Sequence, residues 1–263
     1  MPERTEYAPG TPSWTDLATP DPDASQKFYG TLFGWEFNTE DTGDPEMPYI
    51  MVTQGGKPVA GMMKLSAEMA AGGMPPVWST YITVADVEAA TKKAEGLGAT
   101  VLSGPMDVMT AGRMSVLSDP QGAVFCIWEA KDSIGAEIVN EPVSMTWNEL
   151  ITPDVEGSRK FYSGLFGWNP QSMAMGDGPE YTMWQLGENG VGGAMPPPME
   201  GMPPFWGVYF SVADTDATVA KAKDLGATVL AEPMELPDVG RMAALADPQG
   251  AVFSIIKNAQ PTS

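Results

Sequence analysis

The chain has 263 residues, 43% of them hydrophobic, and a formal net charge of −20 at pH 7. That balance excludes a nucleic-acid binder, because phosphate backbones demand clustered Lys and Arg. It contains no histidine, which removes the commonest general base and every Ser-His-Asp or Cys-His arrangement, and its single cysteine, Cys126, leaves no intramolecular disulfide.

Residues 1–12 are polar and read as a lead-in arm without the apolar core of a signal peptide. Trp14–Thr19 reads as a strand. Thr19-Pro20-Asp21-Pro22-Asp23 carries helix-start signals, and Ala24–Phe33 follows as a helix that Gly34 ends. Trp35–Thr39, Tyr49–Thr53 and Val59–Lys64 read as strands, with a loop over 40–48. Ser66–Pro76 reads as a linker. The same order then recurs: a strand over Trp78–Val84, a helix over Asp86–Leu97, and strands over Val101–Val108, Arg113–Ser118 and Val124–Glu129. Lys131–Pro142 links this unit to a second that repeats it.

The duplication is visible in the residues. Gly112–Phe125, GRMSVLSDPQGAVF, returns as Gly240–Phe253, GRMAALADPQGAVF. Gly73–Trp78 (GMPPVW) returns as Gly201–Trp206 (GMPPFW), and Phe28–Trp35 (FYGTLFGW) as Phe161–Trp168 (FYSGLFGW). Asp-Pro-Gln-Gly in the first pair predicts a hairpin turn between two strands: Pro presets φ, Gly takes a left-handed position and Asp bonds its own backbone. The reading is α+β, four βαβββ modules in two tandem domains at 12–130 and 145–257. A module of one helix and four strands leaves one sheet face open. Two modules edge to edge predict a curved sheet with helices outside and a concave cavity inside, where small molecules bind.

The βαβββ order, with Phe-Tyr near the first helix's end and Asp-Pro-x-Gly in the last hairpin, resembles the vicinal oxygen chelate superfamily. Its members include glyoxalase I, extradiol dioxygenases and bleomycin-resistance proteins. GMPPxW and GRxxxLxDPQGAxF look more closely like an actinobacterial two-domain family labelled glyoxalase-like or hydroxylase. The resemblance implies three metal-ligand positions in each domain. Here they fall on Trp14, Ser79 and Cys126, and on Trp147, Gly207 and Ser254. None is a His or Glu, so the expectation is no metal and no cofactor.

Asp16 and Glu149 lie two residues beyond the tryptophans, and strand alternation places them on the same face. They are candidate ligand anchors, with Arg113 and Arg241 as candidate internal partners. The same parity brings Ser79, Tyr81 and Trp128 into the first cavity, and Tyr209 into the second. The candidate ligand-binding set is therefore Trp14, Asp16, Ser79, Tyr81, Trp128, Trp147, Glu149 and Tyr209, with the indoles as stacking surfaces. Cys126 reads as a buried inert thiol. Trp35 and Trp168 read as core, and Trp78 and Trp206 as cavity rim. Val52 against Trp184 and Trp128 against Ile256 predict unequal pockets.

The expectation is a metal-free protein that binds an aromatic or amphipathic antibiotic or metabolite. The alternatives are a glyoxalase-like lyase or hydroxylase and an interaction protein. The expected partner is a small molecule, with no nucleic acid and no membrane. The chain is expected to be cytoplasmic, and a monomer whose two units pack as an internal pseudo-dimer.

Overall fold

A computed structural model describes residues 3–44, 48–174 and 180–259. Residues 45–47 of the expected 40–48 loop, and residues 1–2 of the arm, lie outside the described residues. The first unit runs β1 (Pro12–Thr19), α1 (Pro22–Phe33), β2 (Glu36–Glu40), β3 (Tyr49–Gln54), β4 (Lys57–Lys64) and α2 (Ala67–Ala71). It continues with β5 (Val77–Thr83), α3 (Val87–Gly96), β6 (Thr100–Val108), β7 (Gly112–Ser118) and β8 (Val124–Ala130). The second runs β9 (Met145–Ile151), α4 (Val155–Phe166), β10 (Asn169–Met173), β11 (Tyr181–Leu186) and β12 (Asn189–Met195). It ends with β13 (Phe205–Ser211), α5 (Thr215–Asp224), β14 (Thr228–Leu236), β15 (Gly240–Ala246) and β16 (Val252–Asn258).

Each of the four long helices starts on an aspartate whose carboxylate takes an early backbone N–H. Asp21 accepts from Ala24 N at 3.0 Å, Asp86 from Ala89 N at 2.9 Å, Asp154 from Gly157 N at 2.8 Å and Asp214 from Ala217 N at 2.9 Å. The expected linker over Ser66–Pro76 instead contains α2. Ser66 caps it through a bond from Met69 N at 3.1 Å, a start signal that the surrounding Gly, Met and Pro obscure.

Each unit forms one eight-stranded mixed sheet, ordered β2-β3-β4-β1-β5-β8-β7-β6 and β10-β11-β12-β9-β13-β16-β15-β14. The two modules of a unit meet at the antiparallel pairs β1–β5 and β9–β13, so β1 and β9 lie near the middle of their sheets. The helices cover the outer face, and this face is shared between the units. One core joins Phe28, Tyr29, Trp35 and Trp78 to Phe210, Val219, Leu245 and Phe253. The other joins Val87, Leu117 and Phe125 to Phe161, Tyr162, Trp168 and Trp206. The first module thus packs against the fourth, and the second against the third. Among the described residues no helix is long and apolar enough to cross a membrane.

Bonds between the units obey the same pseudo-twofold relation. Trp35 Nε1 donates to Val143 O, and Trp168 Nε1 to Gly10 O, both at 2.7 Å. Tyr29 Oη donates to Asp247 at 3.0 Å and itself accepts Trp78 Nε1 at 3.0 Å. Tyr162 Oη donates to Asp119 at 2.9 Å and accepts Trp206 Nε1 at 2.9 Å. Trp78 and Trp206 are therefore buried members of the shared cores, not a cavity rim: on β5 and β13 they sit one residue out of phase with the concave face. Val52 and Trp184 also lie in these cores, so their difference says nothing about the concave faces.

Candidate functional site

The β1–β5 register sets Trp14 opposite Tyr81 and Asp16 opposite Ser79. Tyr81 in turn pairs with Cys126, and Thr83 with Trp128, in the parallel β5–β8 ladder. The concave face of the first sheet therefore gathers Trp14, Asp16, Ser79, Tyr81, Cys126 and Trp128. In the second sheet Trp147 stands opposite Tyr209 and Glu149 opposite Gly207. There the apolar cluster is Tyr209, Met242 and Ile256 with Trp147 and Leu236.

Asp16 is 3% exposed and, among the described residues, faces no cation. Tyr81 Oη donates to its Oδ2 at 2.7 Å, and Ser79 and Tyr49 also bond the carboxyl. Burial pushes Asp16 up to about 6, and the three hydroxyls partly oppose that rise. Trp14 Nε1 donates to Tyr49 Oη at 2.9 Å. The same motif stands in the second unit. Tyr209 Oη donates to Glu149 Oε2 at 2.7 Å, Tyr181 bonds the same carboxyl, and Trp147 Nε1 donates to Tyr181 Oη at 2.8 Å. Burial raises Glu149 as well, and it raises Tyr81 and Tyr209 well above the ordinary phenol range. Each face thus presents an indole, a carboxyl and two phenols in one hydrogen-bonded chain.

Sequence reasoning missed Tyr49 and Tyr181. Each reaches its carboxyl across the neighbouring strand, over a glycine. An added Cβ at Gly61 would stand 1.9 Å from Tyr49 Oη, and one at Gly193 would stand 1.9 Å from Tyr181 Oη. The available signal was the repeated Tyr-x-Met at 49–51 and 181–183, each followed by a glycine in the next strand.

Arg113 and Arg241 do not reach the carboxyls. Arg113 bonds Glu88 at 2.8 Å, and Arg241 bonds Asp216 through Nη2 at 2.8 Å, both at the surface. Their strand positions point to the helix side, where an acidic residue of the preceding helix's first turn waits. An internal ion pair is replaced by a carboxyl among hydroxyls.

Nor do the residues fit a divalent ion. Among the described residues no three His, Cys, Asp or Glu side chains converge as metal ligands. The first face offers one carboxyl and Cys126, whose thiol burial pushes up, away from the thiolate a metal would need. The second offers one carboxyl.

The two faces differ in what covers them. On the first, the segment after β8 folds back: Ala136 is fully buried in the cluster with Trp14, Tyr81 and Trp128. Ala136 N bonds Ser13 O at 2.8 Å, and Trp128 Nε1 bonds Ser133 O at 3.0 Å. The indole of Trp128 thus holds this segment down, and the expected cavity is packed shut on this side. On the second, Ile256 stands where Trp128 does, and Trp147 is half-buried.

The family profile described as the Glyoxalase/Bleomycin resistance protein/Dioxygenase superfamily matches residues 11–127 and again 144–255. Over 259 residues the chain is 44% identical to "Putative glyoxylase CFP32" of Mycobacterium tuberculosis, covering 98% of this chain and 99% of that one. It is 37% identical over 265 residues to the anthracycline biosynthesis protein DnrV of Streptomyces peucetius, covering 96% and 95%. Among solved structures, the Mn(II)-bound glyoxalase of Novosphingobium aromaticivorans superposes with a TM-score of 0.66 at 17% identity, covering 96% of this chain and 83% of that one. The 2,3-dioxygenase LapB of Pseudomonas sp. KL28 gives 0.64 at 12%, covering 98% and 96%. At such identities the likeness is one of fold.

Proposed function

The chain belongs to the glyoxalase/bleomycin resistance protein/dioxygenase superfamily, and on that premise we propose that it binds a small aromatic or amphipathic molecule, an antibiotic or metabolite, without a metal. What supports the reading is the repeated Trp–Tyr–carboxyl–Tyr arrangement, on the face where the superfamily resemblance places metal ligands. An indole gives a flat stacking wall, and a carboxyl beside it orients a donor on the ligand. The relatives named for anthracycline biosynthesis suit a planar aromatic ligand of this kind. The net charge of −20 favours a cationic one.

The test joins elemental analysis to a thermal-shift screen of planar aromatic compounds. After dialysis the protein is expected to hold well under one equivalent of Zn, Ni, Mn or Fe. A true ligand at 100-fold its Kd adds about 2.7 kcal/mol of stability. Melting temperature should therefore rise while tryptophan fluorescence is quenched and no product forms. Stoichiometric metal, lost together with an activity on Asp16→Ala or Glu149→Ala, would overturn the reading.

One observation favours a second reading, a glyoxalase-like lyase or hydroxylase. On the second face Glu149, raised by burial and bonded by two phenols, is placed to exchange a proton. In that case Glu149→Gln would abolish turnover of a bound compound and leave its binding.

A further inference from the structure

We propose that the second unit's concave face alone takes the ligand, a planar aromatic molecule stacked on Trp147 beside Glu149, and that the first unit's face is permanently filled by the segment between the units. This deepens the binding-protein reading and rests on it.

The first face is closed by covalent neighbours that cannot diffuse away. The segment over residues 133–139 is held at both sides of β1. Ala136 N bonds Ser13 O, Glu137 N bonds Pro58 O at 2.8 Å, and Tyr7 Oη donates to Ala136 O at 2.6 Å. Lys57 adds an ion pair to Glu137. Ala136 has no exposed surface, and Val139 packs against the same cluster. A ligand entering there would have to break these bonds and expose Trp14 and Trp128.

On the second face, among the described residues, the apolar cluster draws on its own strands alone. The aligned side chains are smaller: Gly207 for Ser79 and Ile256 for Trp128. Gly207 faces inward opposite Glu149, and an added Cβ there meets nothing nearer than 3.4 Å. Trp147 is half-buried where Trp14 is 8% exposed. Its indole N–H is already committed to Tyr181, so the ring offers its faces rather than its donor. The groups that bond Glu149 are Tyr209 and Tyr181, with no cation among them. A cationic or hydrogen-bond-donating substituent on the ring would find there a carboxyl without a positive partner among the described residues.

The full chain would be titrated with doxorubicin, a fluorescent planar amine, by calorimetry and tryptophan quenching. The expected result is one site per chain. Gly207→Leu, which fills the second face, should remove it, and Trp147→Ala should weaken it by at least about tenfold. Circular dichroism checks that each variant is folded, and Gly207→Leu keeps the test if Trp147→Ala is not. Two sites per chain, or one site surviving Gly207→Leu, would overturn the assignment and leave the binding reading standing. No binding by the unaltered chain would overturn both.

Discussion

Asp16 and Glu149 are buried carboxyls without a cation, and such groups set a pH dependence that surface charges do not. Asp16 sits at about 6 in the folded chain against 3.8 for the free side chain. The folded state therefore binds more protons than the unfolded one between those values, and stability falls as pH rises through that window. At 1.36 kcal/mol per unit, the ionised form costs about 3 kcal/mol once pH exceeds 6. Tyr49 from β3, Tyr81 and Ser79 from β5 and Cys126 from β8 surround it. In urea unfolding from pH 4.5 to 7.5 the unaltered chain should lose about 2 kcal/mol more stability than Asp16→Asn, since about 1 of the 3 kcal/mol is already lost at pH 4.5. Parallel curves would mean that the carboxyl is already relieved by solvent. At this scale the sequence was partly legible. A period of two put Trp14, Asp16 and Tyr81 on one face, because β1 and β5 are regular strands there. It could not supply Tyr49 and Tyr181, whose reach depends on a glycine in a neighbouring strand, a pairing decided by sheet order.

The Asp-Pro-Gln-Gly hairpins show the same division at the scale of an element. Local chemistry predicts the turn, and one oxygen of Asp119 does bond Gln121 N and Ala123 N, each at 2.9 Å. The other oxygen goes to Tyr162 of the opposite unit, and Asp247 treats Tyr29 in the same way. Nothing in a window of fifteen residues reports a partner in another module. Burial raises both aspartates, with the tyrosine and backbone donors opposing it. Tyr29→Phe removes one hydroxyl and leaves two buried groups short: the Trp78 indole N–H and the outer oxygen of Asp247. An orphaned buried polar group costs about 1–3 kcal/mol. With two groups left short, Tyr29→Phe and Tyr162→Phe should each destabilise the chain by at least about 2 kcal/mol in urea, and the double variant by nearly the sum, since the two sets share no atom. A loss below about 0.5 kcal/mol would show that water replaces the hydroxyl.

For the whole molecule the consequence is cooperativity between the units. The domains are continuous in sequence, yet each shares the core on its helix side with the other. Phe28, Tyr29 and Trp35 are covered by Phe210 and Phe253, while Phe125 is covered by Phe161 and Tyr162. Separating the units would bare both clusters at once, and apolar area exposed to water costs about 25 cal/mol per Å². A repeat chain with private cores would melt copy by copy. This one should melt as a single body, although 263 residues exceeds the usual size for such behaviour. Calorimetry should give one peak with a calorimetric enthalpy near 180 kcal/mol, at about 0.7 kcal/mol per residue. The van't Hoff enthalpy should match it, and sedimentation should find a monomer, because the partner each unit needs is tethered in the same chain. Two resolved peaks, or a van't Hoff enthalpy near half the calorimetric one, would mean that each unit folds by itself and that the shared cores are a contact rather than a foundation.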